Sequence, residues 1–313
     1  MYKIGFILYP GFSPMILGVT SVFETVNWKL GSPAYEVTLV SEKGGPVSDS
    51  WGSRIQTSSF KHRTFDTLIV AGSVAPRAAT SGLLNYLRSA VHRTRRIASV
   101  CTGALILAEA GLLNGRRATT HWRFARDMQR RYPGVAVEEN RIFIVDGPIW
   151  TSAGMSAGAD LALGMVEKDL GAEITREVAK LLVVYHRRVG GQSQHSTLLD
   201  LGATSDRVQT ALAYAKEHLS GPLSVNVLAQ AAFLSPRQFS RLFREETGQS
   251  PAKAIELLRV ESARLMMEAG RFSVEEIARK NGFGNRERMR RSFRRALGQS
   301  PRAIQHSLSA AVQ

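Results

Sequence analysis

One helical pattern is written twice near the C-terminus of this chain. Ser224 to Pro251 reads SVNVLAQAAFLSPRQFSRLFREETGQSP, and Ser273 to Pro301 reads SVEEIARKNGFGNRERMRRSFRRALGQSP. Each copy opens on Ser-Val, carries an Ala inside a short amphipathic run, passes a break, enters a basic helix and closes on Gly-Gln-Ser-Pro. The offset is 49 residues at the start (Ser224 to Ser273) and 50 at the end (Phe243 to Phe293), so one copy holds a single extra residue at its central turn. A short helix, a tight turn and a second, basic helix make a helix-turn-helix, and two copies imply two DNA-contacting units.

In the first copy Val225, Leu228 and Ala229 form an apolar strip, and Phe233-Leu234 is expected to close the turn. Ser235 followed by Pro236 is an N-cap with proline at the first helical position. On the helix that follows, Phe239, Leu242 and Phe243 point inward, while Arg237, Ser240, Arg241 and Arg244 share the opposite face. Gln238 adds a polar group near that face. In the second copy Val274, Ile277 and Ala278 face inward, Gly282-Phe283 makes the turn, and Met289, Phe293 and Leu297 form the inner stripe. Its outer face is Glu287, Arg290, Arg291 and Arg294, with Asn285 and Arg286 at the helix start. Arg pairs bidentately with guanine and Glu accepts from cytosine N4, so these are the candidate base readers. Arg288 and Arg295 are expected to meet phosphate or solvent. Six arginines between 286 and 295 repel one another, with Glu287 the one acid among them, and phosphate relieves that repulsion. Ala252 to Ala269 is expected to form a rigid helix spacing the two units.

Charge supports the same partner. The chain has 313 residues and a formal net charge of +15. From Asp206 onward there are 18 Lys+Arg against 10 Asp+Glu, whereas the first 205 residues hold 23 against 16. Double-stranded DNA is the natural counterpart of such an excess. Cys101 is the one cysteine, so no disulfide forms within the chain. The N-terminus lacks the apolar segment of a signal peptide, and no apolar run approaches about 18 residues. The expectation is a soluble cytoplasmic protein with no membrane contact.

The first two thirds interleave short apolar runs with helical patterns. Lys3 to Tyr9, Tyr35 to Ser41, Thr67 to Ala71 and Arg96 to Val100 read as buried strands; Ile16 to Leu30 and Leu83 to Thr94 read as helices. That alternation predicts a mostly parallel sheet covered on both faces. Arg141 to Val145 and Ile149 to Ser152 flank Asp-Gly-Pro and read as a hairpin-like addition. A helix after Gly171 places Ile174, Val178, Leu181, Leu182 and Tyr185 on one face. Gly190 to Ser205 reads as a linker.

Cys101 lies in SVCTGA, at a predicted strand-to-helix junction. A side chain on such a turn projects above the carboxyl ends of a parallel sheet, where a helix dipole favours a thiolate or an anionic ligand. A small buried Cys packing the junction is the plainer alternative. His121, in Ala-Thr-Thr-His-Trp, would complete a Cys-His pair if its ring reaches the sulfur; a packed or surface His beside Trp122 is the other reading. The seven scattered His and one Cys make no metal site, and no phosphate loop or cofactor motif is present.

The opening strand with Tyr9-Pro10-Gly11-Phe12, the Cys101 elbow and Thr-Thr-His 20 residues later resemble the class I glutamine amidotransferase-like (PfpI) superfamily. SVCTGALILAEAGLLNGRRATTHW and Thr151-Ser152-Ala153-Gly154 resemble more closely the GlxA-type regulators, which join such a domain to an AraC-type DNA-binding domain. The Gly-Gln-Ser-Pro repeats, Phe239-Ser-Arg-Leu-Phe243 and Gly282-Phe283 resemble the AraC signature. The resemblance implies an α/β, flavodoxin-like parallel-sheet sandwich over 1–192, a linker over 193–205 and a smaller all-α domain with two helix-turn-helix units over 206–313. It implies a transcriptional regulator acting as a homodimer with RNA polymerase and responding to a small-molecule effector, an amine or amino-acid derivative. Enzymes of the superfamily place a carboxylate near the Cys and many carry His directly after it. Here Phe12 to Met15 holds no acid, Glu24 lies far along its helix, and Thr102 follows the Cys. The expected site is therefore a ligand pocket walled by Cys101, Thr102, His121, Trp122, Thr151, Ser152 and Gly154. The competing reading is a cysteine hydrolase or amidase at Cys101.

Overall fold

The computed structural model describes residues 1–61, 63–184, 188, 194–197, 201–268, 270 and 272–304. The chain divides into two units, Met1–Gln194 and His195–Gln313.

The first unit is built on an eight-stranded sheet in the order β3-β4-β2-β1-β5-β6-β10-β9. Strands β1 (Tyr2–Ile7), β2 (Tyr35–Ser41), β5 (Thr67–Val70) and β6 (Arg96–Val100) are parallel neighbours, as their apolar runs require. Side chains alternate between two cores. Ile4, Phe6, Ile69, Ala98 and Val100 pack on one face and Ile7, Leu68, Val70 and Ile97 on the other. Helices α1 (Thr20–Leu30), α5 (Met155–Leu170) and α6 (Ala172–Leu181) supply buried side chains to the first core; α2 (Ser81–Ala90) and α3 (Gly103–Glu109) supply the second. A strand covered on both faces reads as a continuous apolar run, and these do.

The Asp-Gly-Pro hairpin is present: β9 (Phe143–Asp146) pairs antiparallel with β10 (Ile149–Ser152). Strand β10 also pairs in parallel with β6, which brings Thr151-Ser152 beside the strand that ends at Cys101. The sequence reading missed β3 (Gly45–Ser48), β4 (Arg54–Ser59) and the two-residue pair β7 (Arg117–Ala118) and β8 (Ala136–Val137). The helix expected from Ile16 begins as a 3-10 turn over Pro14–Val19. In α6 Val178 is buried but Leu181 is exposed; Tyr185 lies outside the described residues. Of the expected linker, residues 193 and 198–200 also lie outside them.

The second unit has two small cores. Helix α7 (Asp206–Glu217) packs Val208, Ala211, Leu212 and Ala215 against α8 (Val225–Ala231) and α9 (Pro236–Thr247), which bury Leu228, Ala229, Phe239 and Phe243. The second core joins α11 (Val274–Lys280) to α12 (Arg286–Leu297) through Ile277, Ala278, Met289 and Phe293. Helix α10 (Pro251–Glu268) serves both. Ala254, Ile255 and Leu258 enter the first core, and Val260, Ala263 and Met267 enter the second.

Candidate functional site

Cys101 sits where β6 stops and α3 is about to start, in left-handed backbone at φ +57°. A non-glycine residue in that region costs about 1–3 kcal/mol and persists only where its surroundings hold it. Here Cys101 N–H donates to Ala153 O at 2.7 Å and Ser152 O at 3.1 Å, and Thr120 Oγ1 donates to Cys101 O at 2.9 Å. The elbow also lies tight on the end of β5. A Cβ on Gly72 would stand 2.8 Å from Cys101 Cβ, and one on Gly103 would stand 2.5 Å from Val70 O.

Burial dominates at this sulfur. Burial pushes the Cys101 thiol up to about 11, and hydrogen bonds from Thr102 offset only part of that. Helix α3 is seven residues long, a weak dipole, and Thr102 Oγ1 gives its proton to Ser73 O at 2.7 Å. Desolvation is the largest influence on this thiol and favours its protonated form. Glu24 is exposed on α1, and no acidic side chain among the described residues contributes to the Cys101 shift.

His121 caps α4 (Trp122–Arg131), its Nδ1 accepting from Arg123 N–H at 3.3 Å. Its ring stacks on Trp122 at 5.7 Å between centroids, and Trp122 is 47% exposed. Gly154 lies beside this ring: a Cβ there would be 3.4 Å from His121 Cδ2. Thr151 and Ser152 stand differently. Both are buried; Thr151 Oγ1 accepts from Thr119 N–H at 2.9 Å and Ser152 Oγ donates to Ser99 O at 3.3 Å. Their hydroxyls brace the wall. Cys101, His121, Trp122 and Gly154 are the solvent-reached positions of the group, and Thr102 is buried.

Two further residues shape this region. Tyr9 donates to Ala71 O at 3.0 Å, and burial together with the neighbouring Cys101 raises its phenol pKa. Gln194 places its amide in the 119–122 loop. Nε2 donates to Thr120 O and Glu139 O, both at 2.8 Å, and Oε1 accepts from Trp122 N–H at 2.9 Å. Only the fold brings a residue 74 positions away onto Thr120.

The second unit presents the paired basic helices. On α9, Arg237, Arg241 and Arg244 are exposed and Ser240 is partly so. Ser240, Arg241 and Arg244 line an open groove of about 730 Å³ together with Ser250, Pro251 and Ala252. Gln238 closes a capping box: its Oε1 accepts from Ser235 N–H at 3.2 Å while Ser235 Oγ accepts from Gln238 N–H at 3.4 Å. Phe233 does not close the turn by burial. It is 88% exposed at φ +54°, and Leu234 packs instead.

On α12, Asn285 is the N-cap, accepting from Arg288 N–H at 2.9 Å. Glu287 is bidentate with Arg290, at 2.7 and 2.8 Å, and lies 4.0 Å from Arg291. The Arg290 guanidinium holds its carboxyl below the usual carboxylate range. Glu287, read from sequence as a base acceptor, is paired in the free helix with arginines one turn along. It is joined by Glu275, 3.4 Å from Arg286, and by Glu256, which accepts from Arg295 Nε at 3.0 Å. The arginine cluster is thus opposed by three acids, two of them outside its own helix. Arg291 and Arg294 remain exposed. Among the described residues no group of three or more His, Cys, Asp or Glu is arranged to hold a metal, and no helix is long and apolar enough to cross a membrane.

A strained cysteine elbow over a parallel sheet, followed by paired helix-turn-helix units, defines a transcriptional regulator with a DJ-1/PfpI-type domain. The DJ-1/PfpI family matches residues 18–168, and a helix-turn-helix domain matches 228–307. The HTH-type transcriptional regulator CdhR of Pseudomonas aeruginosa is 30% identical over 304 residues, covering 95% of this chain and 89% of that protein. The HTH-type transcriptional regulator GlxA of Rhizobium meliloti is 27% identical over 310 residues, covering 96% and 95%. Isonitrile hydratase of Pseudomonas putida is 32% identical over 187 residues, covering 58% of this chain and 78% of that one. The crystal structure of an AraC family transcriptional regulator from Pseudomonas putida shares the fold, with a TM-score of 0.54 at 23% identity over 58% of this chain and 100% of that one. The chain belongs to the family of HTH-type transcriptional regulators that join a DJ-1/PfpI domain to an AraC-type helix-turn-helix domain.

Proposed function

We propose that the first unit senses a small-molecule effector at the Cys101 elbow without turning it over, and that the second unit binds DNA in response. The observation that supports this most is the elbow itself: strained and reached by solvent, yet with its thiol pushed to about 11 and no carboxylate contribution. A resting thiol is a poor nucleophile and a serviceable wall. Cys101, His121, Trp122 and Gly154 would contact the effector, with Thr102, Thr151 and Ser152 holding them. The exposed Trp122 ring offers a cation its π face, which favours an amine or amino-acid derivative. Gln194, the last residue of the sensing unit, is bonded to the loop that carries His121 and so gives a bound effector a route to the chain leaving that unit.

In the DNA-binding unit the contacts are assigned to Arg237, Ser240, Arg241 and Arg244 on α9 and to Arg290, Arg291 and Arg294 on α12. Gln238, Asn285, Arg286 and Glu287 shape those helix starts. The regulator would work in the cytoplasm as a homodimer with RNA polymerase. The likeness to isonitrile hydratase favours a second reading, retained cysteine chemistry in the first unit.

Alkylation kinetics separate the two. At pH 8, well below a thiol pKa of about 11, iodoacetamide should react with Cys101 at least about tenfold more slowly than with a free thiol, its rate still climbing past pH 10. Cys101→Ser should alter effector response and leave folding intact. Fast alkylation at neutral pH, with amide, ester or nitrile-type turnover lost in Cys101→Ser, would establish the enzyme instead.

A further inference from the structure

The joint between the two helix-turn-helix units is closely packed around Arg259. Arg259 lies on α10 between Leu258, buried in the first core, and Val260, buried in the second. Its Nε donates to Leu219 O at 3.1 Å and its Nη2 to Gly221 O at 2.7 Å. Both carbonyls belong to the loop between α7 and α8, in the first helix-turn-helix unit. From the other side comes the turn of the second unit. A Cβ on Gly282 would lie 2.2 Å from Leu219 O and 2.6 Å from Arg259 Nη2, and Gly282 itself has φ +68°. Loop, spine and turn therefore meet with no space for a side chain. The guanidinium is a planar fork, so two carbonyl bonds fix its direction as well as its position. The same residues border a groove beside α12. Arg259, Gly282 and Phe283 line an open groove of about 600 Å³ with Arg288 and Arg291 of α12.

We infer that Arg259, seated against Gly282, sets the separation and rotation of α9 and α12, and through them the number of base pairs the regulator requires between the two halves of its site. The inference rests on the reading of both helices as DNA contacts. Major grooves present the same face about every 10–10.5 base pairs, so one inserted pair rotates a half-site by roughly a tenth of a turn and moves it about 3.4 Å. A joint pinned by a forked donor does not follow such a shift. A joint that has lost the fork does. Arg259 is a positioning residue here, acting through the helices it holds.

The experiment uses the full-length chain and duplexes it selects from a random pool. Footprinting locates the protected segments, and binding is measured on the parent duplex, on duplexes with one base pair inserted or deleted between segments, and on a duplex keeping one segment. The wild type should lose about tenfold or more on either shifted duplex. Arg259→Ala should lose less than about threefold, with binding to the single segment within about twofold of wild type. Should Arg259→Ala fail to fold by circular dichroism, Arg259→Lys carries the test, since it keeps stem and charge but lacks the fork. Spacing discrimination unchanged in the folded variant would overturn the inference. Selection by wild type of sites with one protected segment would overturn it differently, by removing the two-helix reading beneath it.

Discussion

The two helix-turn-helix repeats make the same turn and use it differently. Phe233 N–H donates to Gln230 O at 3.0 Å and Leu234 N–H to Ala229 O at 2.9 Å; 49 residues later Gly282 N–H donates to Arg279 O at 3.1 Å and Phe283 N–H to Ala278 O at 2.9 Å. The turn residue is left-handed in both, at φ +54° and +68°. In the first repeat it is a phenylalanine standing in solvent; in the second it is a glycine with the Leu219 carbonyl where a side chain would be. The turn itself thus tolerates a side chain, and the glycine is demanded by what packs against it. The extra residue of the second repeat is absorbed at Gly284, φ +78°, which delays the N-cap to Asn285. Charge differs too. The six arginines of the second helix are partly offset by Glu287, Glu275 and Glu256, whereas the contact from α9 is one loose pair, Arg241 to Glu245 at 3.8 Å, among those the structure records.

The sharpest way to break this comparison is to exchange the turn residues. Gly282→Val should lower stability by about 2–4 kcal/mol, because left-handed strain and a backbone clash act together. Phe233→Gly should change it by less than about 1 kcal/mol, since relief of left-handed strain is offset by the extra freedom of glycine in the unfolded chain. Urea unfolding followed by far-ultraviolet circular dichroism checks both, and equal effects would mean the turn, not the joint, selects the residue.

Next come the arginines. Arg241→Ala should weaken binding to a selected duplex by about 10–100-fold, and more than it weakens binding to random DNA. Arg290→Ala should cost less, about tenfold or under, because Arg290 must leave Glu287 before it reaches a base. Equal losses on selected and random duplexes would place either residue on phosphate. The smallest effect is expected for Glu287→Gln. Releasing Arg290 and Arg291 should tighten binding about two- to threefold and steepen its salt dependence. Weaker binding would return Glu287 to the role of base acceptor.

What the sequence made legible, and what it did not, divides along local and non-local interactions. The helices of both repeats, the Ser235 cap with Pro236 and the Cys101 elbow are encoded by neighbours within a few residues, so periodicity and cap chemistry reach them. Strands β3 and β4 were missed because GPVS and RIQTSS lack an apolar run; β3 is the edge of the sheet and β4 lies next to it. The Glu287–Arg290 pair joins two residues that the sequence offers as base readers, and residue type alone does not show that they bond to each other in the free helix. Gln238, expected near the DNA-facing side, is exposed and also closes the capping box of its helix. Gln194, Arg259 and the constraint on Gly282 depend on chain segments 38 to 75 residues distant, and spacing carries no trace of them. The burial that raises the Cys101 thiol pKa is set by the surrounding fold, and the SVCTGA string carries no trace of it.

The central claim is that one chain reads DNA with two unequal copies of one device. Hydroxyl-radical footprinting of the full-length protein on a selected duplex, repeated with Arg241→Ala and Arg290→Ala, tests it directly. Two protected segments per chain are predicted, about one helical turn apart, with each variant exposing a different segment. A single protected segment, or both variants exposing the same one, would contradict it.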